Sequence, residues 1–306
     1  MLEEAGSGPE IMGEVKDAII LAGGRGTRML PASLYAPKET LPLVDTPILN
    51  HLVWEASRAG VSRIHLVVSK RKKKMLDDFL ETRTIHDEDV RKDLPRESLM
   101  LGPHGVEIIP HVQFSAGGVA DAISAAIEGV SGPFLVLLGD MLLMDCHAGP
   151  MHSGPENASS ASMMLVSNFE ETGLPSVGVF SVDKNEVSNY GVVEISQGKV
   201  IGIEEKPPIA EAKSNSVLCG RYLFPEDTSK ILDNFPLSEF GEMQSIYLLN
   251  HLIENGGLNA VNLEGMQMYD SGDPVSWLKS QIDHGLRRVD TSSDLFEWLK
   301  DRLSRI

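Results

Sequence analysis

VKDAIILAGGRGTRMLPASLYAPKETLP (Val15–Pro42) is the stretch whose reading decides the fold. It opens with a short apolar, β-branched run that ends at Gly23, the pattern of a buried strand emptying into a loop. Gly23, Gly24 and Gly26 follow within four residues, then Thr27 and Arg28. Three kinds of glycine loop compete for this pattern. A P-loop needs Gly-Lys-Ser/Thr at the head of a helix, and Gly26-Thr27-Arg28 stands there instead. A dinucleotide-binding turn needs a third glycine where Met29 sits and a helix behind it. Asp45 falls near the spacing of its ribose-binding acid, but Pro31, Pro37 and Pro42 forbid the helix between. The third kind is a glycine turn whose backbone N–H groups point at phosphate oxygens with no long helix behind them. There Arg28 and Lys38 bring two positive charges to one triphosphate. Alone, the glycines fit a plain strand-to-loop turn and Lys38 an exposed lysine. Their joint presence in one Pro-pinned segment favours a phosphate site.

Outward from this loop, the first half alternates strands and helices. TPILNHLVWEASRAG (46–60) has helical apolar spacing and stops at Gly60. RIHLVVS (63–69), EIIPHVQF (107–114) and PFLVLLGD (133–140) read as strands; KMLDDFLET (74–82) and GGVADAISAAIEGV (117–130) read as helices. The alternation predicts a parallel sheet covered on both faces. In the second half, SASMMLVSNF (160–169), SVGVFSVD (176–183), GVVEIS (191–196), KVIGIEEKP (199–207) and SNSVLCGRYLF (214–224) read as short strands. A helix is expected over 241–256, a strand over 258–265, a loop over 266–274, and helix from 273 to the end. Residues 1 to 13, rich in Gly, Ser, Pro and Glu, read as a disordered lead-in.

The chain has 306 residues, 42% hydrophobic and 23% charged, enough for a substantial core. Its formal net charge of -17 argues against a nucleic-acid surface, which needs a basic patch. The basic run KRKKK (70–74) reads as the exposed start of a helix. Cys146 and Cys219 form no CxxC and read as reduced core residues rather than a disulfide or zinc pair. No apolar run approaches a membrane span and the N-terminus has no signal-peptide core, so a cytoplasmic protein without a membrane partner is expected. The nine histidines show no HxH or HExxH grouping, and no Ser-His-Asp or Cys-His constellation stands out.

LAGGRGTRMLPASLYAPKETLPLVDTPIL (21–49) resembles the signature of the sugar-phosphate nucleotidylyltransferases, which join a sugar-1-phosphate to a nucleoside triphosphate and release pyrophosphate. The resemblance runs over roughly residues 15–303. It implies nucleotide contacts at Ala22, Gly23, Gly24, Gly26 and Thr27, and catalytic roles for Arg28 and Lys38. QFSAGGVADAI (113–123) resembles the base-reading segment, with Gln113 and Gly118. FLVLLGD ends on Asp140, the implied Mg²⁺ ligand; relatives often carry a second aspartate where Met141 stands. NYGVVEI and IEEKP imply sugar-phosphate contacts at Gly191, Glu205 and Lys206, and MYDSGDP a second metal ligand at Asp270. Gly272-Asp273 replaces the more usual Gly-Asn or Gly-Thr. The segment TRTIHDEDVRKDLPRESLMLGPHG (82–105) resembles the helical insertion of the bacterial-type uridylyltransferases acting on glucose-1-phosphate.

The resemblance thus implies an α/β protein with a Rossmann-like mixed, mainly parallel sheet flanked by helices, of the nucleotide-diphospho-sugar transferase type. A smaller β-rich sugar-binding part and C-terminal helices complete it. The expected division is a nucleotide-binding half (14–145), a sugar-phosphate-binding half (146–275) and C-terminal helices (276–306) within one domain. The expected reaction is uridylyl transfer from UTP to glucose-1-phosphate with Mg²⁺; thymidylyl transfer, or another sugar-1-phosphate, is the alternative. A sugar-nucleotide-sensing regulatory subunit is the non-enzymatic alternative, although such relatives usually lose the arginine or lysine kept here. A homo-oligomer, dimer or tetramer, is expected; Trp277, Phe296 and Trp298 serve either as its interface or as a cap on the core.

Overall fold

The computed structural model describes residues 13–80, 99–115, 117–145, 158–234 and 245–305. In chain order the strands are β1 (Asp17–Ala22), β2 (Pro42–Leu43), β3 (Thr46–Pro47), β4 (Arg63–Ser69), β5 (Glu107–Gln113), β6 (Phe134–Leu138) and β7 (Met141–Met144). They continue with β8 (Ser176–Ser181), β9 (Gly191–Ser196), β10 (Lys199–Glu205), β11 (Ser216–Phe224), β12 (Asn259–Asn262) and β13 (Gln267–Asp270). The α-helices of the described residues are α1 (Ile48–Arg58), α2 (Lys73–Leu80), α3 (Gly118–Ser124), α4 (Ala161–Thr172), α5 (Thr228–Asp233), α6 (Ser245–Asn255), α7 (Pro274–Arg287) and α8 (Ser292–Leu303).

Nine strands form one sheet in the order β5-β4-β1-β6-β11-β8-β12-β10-β9. From β5 to β6 every neighbour is parallel, and apolar clusters pack on both sides, which is why β1, β4 and β6 read as continuous apolar runs. Beyond β6 the sheet changes. β11 runs antiparallel to β6 and β8, and β10 antiparallel to β12 and β9; only β12 and β8 remain parallel. The sheet is therefore mixed, and the expectation of a mainly parallel one holds for its first four strands only.

Three further expectations are corrected. Residues 160–169, read as a strand, lie in α4: Ala161, Ser162, Leu165, Val166 and Phe169 are buried at helical spacing, and the helix ends at Gly173 with φ 69°. The helix read over 117–130 stops at Ser124 and gives way to a 3-10 turn at Ile127–Gly129. The C-terminal helix is two helices, broken where Arg288 turns to pair with Asp45 and Asp290. Asp45, at the spacing of a ribose-binding acid, is thus a structural partner of Arg288. Trp277 donates to the Pro42 carbonyl and ties α7 to the body, whereas Phe296 and Trp298 remain more than half exposed. The lead-in 1–12, Cys146, and residues 82–98 of the expected insertion lie outside the described residues. The remainder of that insertion, 99–105, packs on α1: Asn50 donates to the Met100 carbonyl, and Gly102 lies so close to Val53 that a Cβ there would approach within 2.4 Å.

At the centre, Arg221 of β11 and Glu55 of α1 form a bidentate ion pair of 2.6 and 2.8 Å, at 0% and 1% exposure. Arg221 also donates to the carbonyls of Gly220 and Met141, and Glu55 accepts from the Ser162 hydroxyl. One side-chain pair thus joins α1, α4, β7 and β11. Arg221→Met should leave the Glu55 carboxylate buried without its partner and cost about 3–5 kcal/mol of unfolding free energy, read from urea titrations. The Glu55→Leu, Arg221→Met double variant should recover part of that loss, because no lone charge is left buried.

Candidate active site

The carboxyl ends of β1, β5 and β6 open onto a cleft of about 490 Å³. Of the residues singled out in the sequence, Gly23, Gly24, Lys38, Gln113, Gly118 and Asp140 line it. The loop after β1 needs its glycines for distinct reasons. A Cβ on Gly23 would come within 2.6 Å of the Gln113 Oε1, and Gly26 has φ 64°, a left-handed conformation. The chain then makes 3-10 turns at Thr27–Met29, Ala32–Leu34 and Lys38–Thr40 in place of a helix, as the prolines require.

Lys38 is nearly buried and its ammonium pairs with the Asp140 carboxylate. Asp140 follows Gly139, whose N–H bonds the Leu21 carbonyl at 3.0 Å and where a Cβ would strike that same oxygen. Burial works to raise the Asp140 carboxyl, but the charge and hydrogen bond of Lys38, with Arg28 beyond, hold it below the ordinary carboxylate range. Asp270 arrives from the far end of the chain because β13 pairs with β7 and sets Asp270 opposite Met141. The N–H and hydroxyl of Ser271 both donate to the Asp140 carbonyl at 3.0 Å, locking the two segments together. The Asp270 carboxyl is pushed up by burial and by the Asp140 charge, against the pull of the Gly272 N–H at 2.6 Å. Arg28 lies against this turn: a Cβ on Gly272 would come within 2.7 Å of its guanidinium. Asp273 accepts from the Val275 and Ser276 N–H groups as the N-cap of α7, with Pro274 in the first turn.

The residues assigned to the sugar phosphate form a second group. Gly191 and Glu205 face each other across β9 and β10, and a Cβ on Gly191 would sit 3.2 Å from a Glu205 carboxylate oxygen. Lys206 has φ 45° and its N–H bonds the Tyr190 carbonyl at 3.0 Å. Tyr190 connects the two groups. Its phenol is pushed up by burial and by the charges of Asp270, Glu186 and Asp273. Lys206 and Glu205 lie 3.5 Å apart and are both more than half exposed, so their pairing contributes little and both remain available to a ligand.

Ala22, Gly26, Thr27, Arg28 and Asp270 do not line the main cleft. Thr27 lines an adjoining cavity of about 330 Å³ with Arg25, Lys70, Arg71 and Phe114. Ala22 is buried and its carbonyl accepts from Lys72. Lys72 corrects the reading of KRKKK as an exposed helix start. It is 5% exposed, and its ammonium bonds the Ala22 carbonyl at 2.9 Å and both Glu39 oxygens at 3.0 and 2.8 Å. Burial pushes the Glu39 carboxyl up and the Lys72 ammonium down, and their mutual attraction opposes both shifts. The pair clasps the strand end that starts the glycine loop to the segment that carries Lys38. A second residue missed in the sequence is Asp121, which holds the Gln113 amide at 2.7 Å. Neither had a sequence signal, since each is defined by a partner in another segment.

The donor set suits a hard cation. Among the described residues no cluster of three or more His, Cys, Asp or Glu side chains that could hold a metal ion is found; Asp140 and Asp270 lie on segments bound to each other through Ser271. Mg²⁺ is commonly held by one or two carboxylates, with water and substrate phosphates completing its shell. Among the described residues no helix is long and apolar enough to cross a membrane.

A family model described as nucleotidyl transferase matches residues 17–283. The chain is 30% identical over 296 residues to a UTP–glucose-1-phosphate uridylyltransferase of Haemophilus influenzae, covering 93% of this chain and 98% of that protein. A Staphylococcus saprophyticus uridylyltransferase of the same name is 31% identical, over 94% and 98% of the two chains. Among solved structures, a UDP-glucose pyrophosphorylase from Acinetobacter baumannii is similar with a TM-score of 0.80 at 27% identity, covering 95% of this chain and all of that one. A UTP-bound structure from Acinetobacter baumannii gives 0.76 at 26%, over 94% and 99%.

Lys72→Met should leave Glu39 buried without its partner, lowering the unfolding midpoint and weakening triphosphate binding at least several-fold by loosening the glycine loop. Thermal unfolding and calorimetric titration check the two effects. The Glu39→Gln, Lys72→Met double variant should regain stability and leave triphosphate binding weak.

Proposed function

Because the chain belongs to the nucleotidyl transferase family, we infer that it transfers a uridylyl group from UTP to glucose-1-phosphate, giving UDP-glucose and pyrophosphate. The observation that carries this reading is the pairing of Lys38 with Asp140 at a cleft floored by a glycine loop, with Asp270 and Arg28 at the neighbouring Gly272 turn. Similarity to uridylyltransferases over nearly the whole chain supports the choice of substrates.

In the reaction a phosphate oxygen of the sugar phosphate attacks the α-phosphorus in line, and the bond to pyrophosphate breaks. Such transfers depend on positioning and charge neutralisation, with no protein nucleophile required. Backbone groups of Gly23, Gly24, Gly26 and Thr27 receive the triphosphate, and Ala22 shapes the strand end before them. Gln113 and Gly118 hold the base. Lys38 bridges the α-phosphate and the incoming phosphate, and Arg28 stabilises the pyrophosphate as it leaves. Lys206 anchors the attacking phosphate while Glu205 and Gly191 seat the hexose. Asp140 and Asp270 would hold Mg²⁺, which supplies further neutralisation of the triphosphate. The charge and hydrogen bond of Lys38 hold the Asp140 carboxyl below the ordinary carboxylate range.

Pyrophosphate release with Mg²⁺ and glucose-1-phosphate, compared across UTP, dTTP, CTP, GTP and ATP, should be fastest with UTP; a preference for dTTP would overturn the uridylyl assignment. Lys38→Ala and Asp140→Asn should each lower turnover roughly a hundredfold, about 3 kcal/mol in the transition state, with an unchanged circular dichroism spectrum.

A further inference from the structure

We propose that Asp121 determines which pyrimidine the cleft accepts, by fixing the Gln113 amide so that it offers the base an acceptor and no donor. The proposal rests on the reading of the cleft as a nucleoside triphosphate site.

Gln113 is the last residue of β5, is nearly buried, and lines the cleft. Its amide nitrogen has two protons to give. One goes to the Asp121 carboxylate at 2.7 Å, the other to the Gly118 carbonyl at 3.2 Å. Neither partner has a proton to return. Turning the amide over would set its oxygen against a carboxylate and a carbonyl while stripping both protons of their acceptors. The usual ambiguity between amide oxygen and nitrogen is therefore resolved by chemistry. With the nitrogen spent, Oε1 is the atom left for a ligand. It lies beside Gly23, where a Cβ would approach it to 2.6 Å, and no donor among the described residues bonds it.

Asp121 is itself built into place. The same carboxylate oxygen accepts from the Ser115 hydroxyl at 2.8 Å and the Gly117 N–H at 3.3 Å. Gly117 permits the fold-back, since a Cβ there would come within 2.8 Å of the carboxylate carbon. The result is a fixed acceptor in the cleft wall. Uracil and thymine present an N3–H that matches it. At that same ring position cytosine presents a bare lone pair, so a contact made at N3 leaves two acceptors facing each other. Sites that specify a hydrogen bond in this way discriminate strongly, because the mismatch leaves a buried polar group unpaired.

Calorimetric titration of the full chain with UTP and with CTP, without sugar phosphate, tests this. Wild-type protein should bind UTP at least about tenfold more tightly than CTP. In Asp121→Asn the new side-chain amide can donate to Gln113, which is then free to turn its nitrogen to the cleft. The UTP:CTP affinity ratio should fall about tenfold or more, part of it through tighter CTP binding. Asp121→Ala should lower the ratio through weaker UTP binding. An equal loss for both nucleotides in both variants overturns the proposal and leaves Asp121 as a prop for its turn. Wild-type protein with no preference for UTP over CTP overturns it as well. Should the variants fail to fold, N3-methyl-UTP on the wild type replaces them: binding at least about tenfold weaker than UTP is expected, and equal binding overturns the proposal. Selective UTP binding without pyrophosphate release would refute the transferase reading and leave this inference standing.

Discussion

A buried guanidinium at the centre of the molecule sets the geometry of the cleft. Arg221 satisfies its donors on Glu55, on the Gly220 carbonyl and on the Met141 carbonyl. Met141 immediately follows Asp140, and Gly139, just before it, is bonded to the end of β1. Asp140 is therefore gripped on both sides, by the strand that launches the glycine loop and by the buried arginine. A well-packed apolar pair in place of Arg221 and Glu55 would give comparable stability at lower desolvation cost. It would not hold a particular carbonyl in a particular direction. What the ion pair adds is the placement of one carboxylate.

The buried lysines at the cleft are paired before any ligand arrives. Lys38 faces Asp140, Lys72 faces Glu39, and Arg28 lies against Asp270. Lys38 and Lys72, both nearly buried, would be costly alone, and the carboxylates beside them offset that cost. A polyphosphate entering such a site competes with the protein's own carboxylates for the cations, and a divalent metal relieves the carboxylates that are displaced. This explains how a chain of net charge -17 presents a site for two anionic substrates. The pairing is local, and the general acidity lies elsewhere on the surface.

What could be read from the sequence was whatever is written in contiguous residues. β1, β4 and β6 are buried on both faces and bounded by glycine or polar residues, so composition alone marks them. Gln113 and Asp140 stand at or just past strand ends, where open α/β sheets bind ligands. Strand direction was not legible: β10 and β11 have the same composition whether they run with or against their neighbours. The run Met163-Met164-Leu165-Val166 hides its helix because two of its apolar side chains are partly exposed while polar Ser162 is buried against Glu55. Lys72, Asp121 and Asp45 were misread or overlooked for one reason. A charged residue is taken for a solvated one until its partner is known, and the Asp45 partner, Arg288, lies 243 positions away.

The C-terminal helix α7 carries this logic one step further. Its N-cap, Asp273, lies three residues after Asp270, so the start of the helix is tied to the carboxylate beside Asp140. Farther along, Trp277 and Gln281 donate to the Pro42 carbonyl, and Gln281 accepts from the Val44 N–H at 2.7 Å. Just beyond the helix, Arg288 holds Asp45. The segment 42–45 thus bound is the continuation of the Pro-pinned loop that delivers Lys38. One helix therefore spans from the Asp270 turn to the loop of Lys38, and a shift of either end is transmitted to the other through a rigid rod. Asp270 and Lys38 come from opposite ends of the chain, yet they are held to a common frame. Positioning is the main thing a phosphoryl-transfer site must supply, and this helix supplies it from outside the cleft.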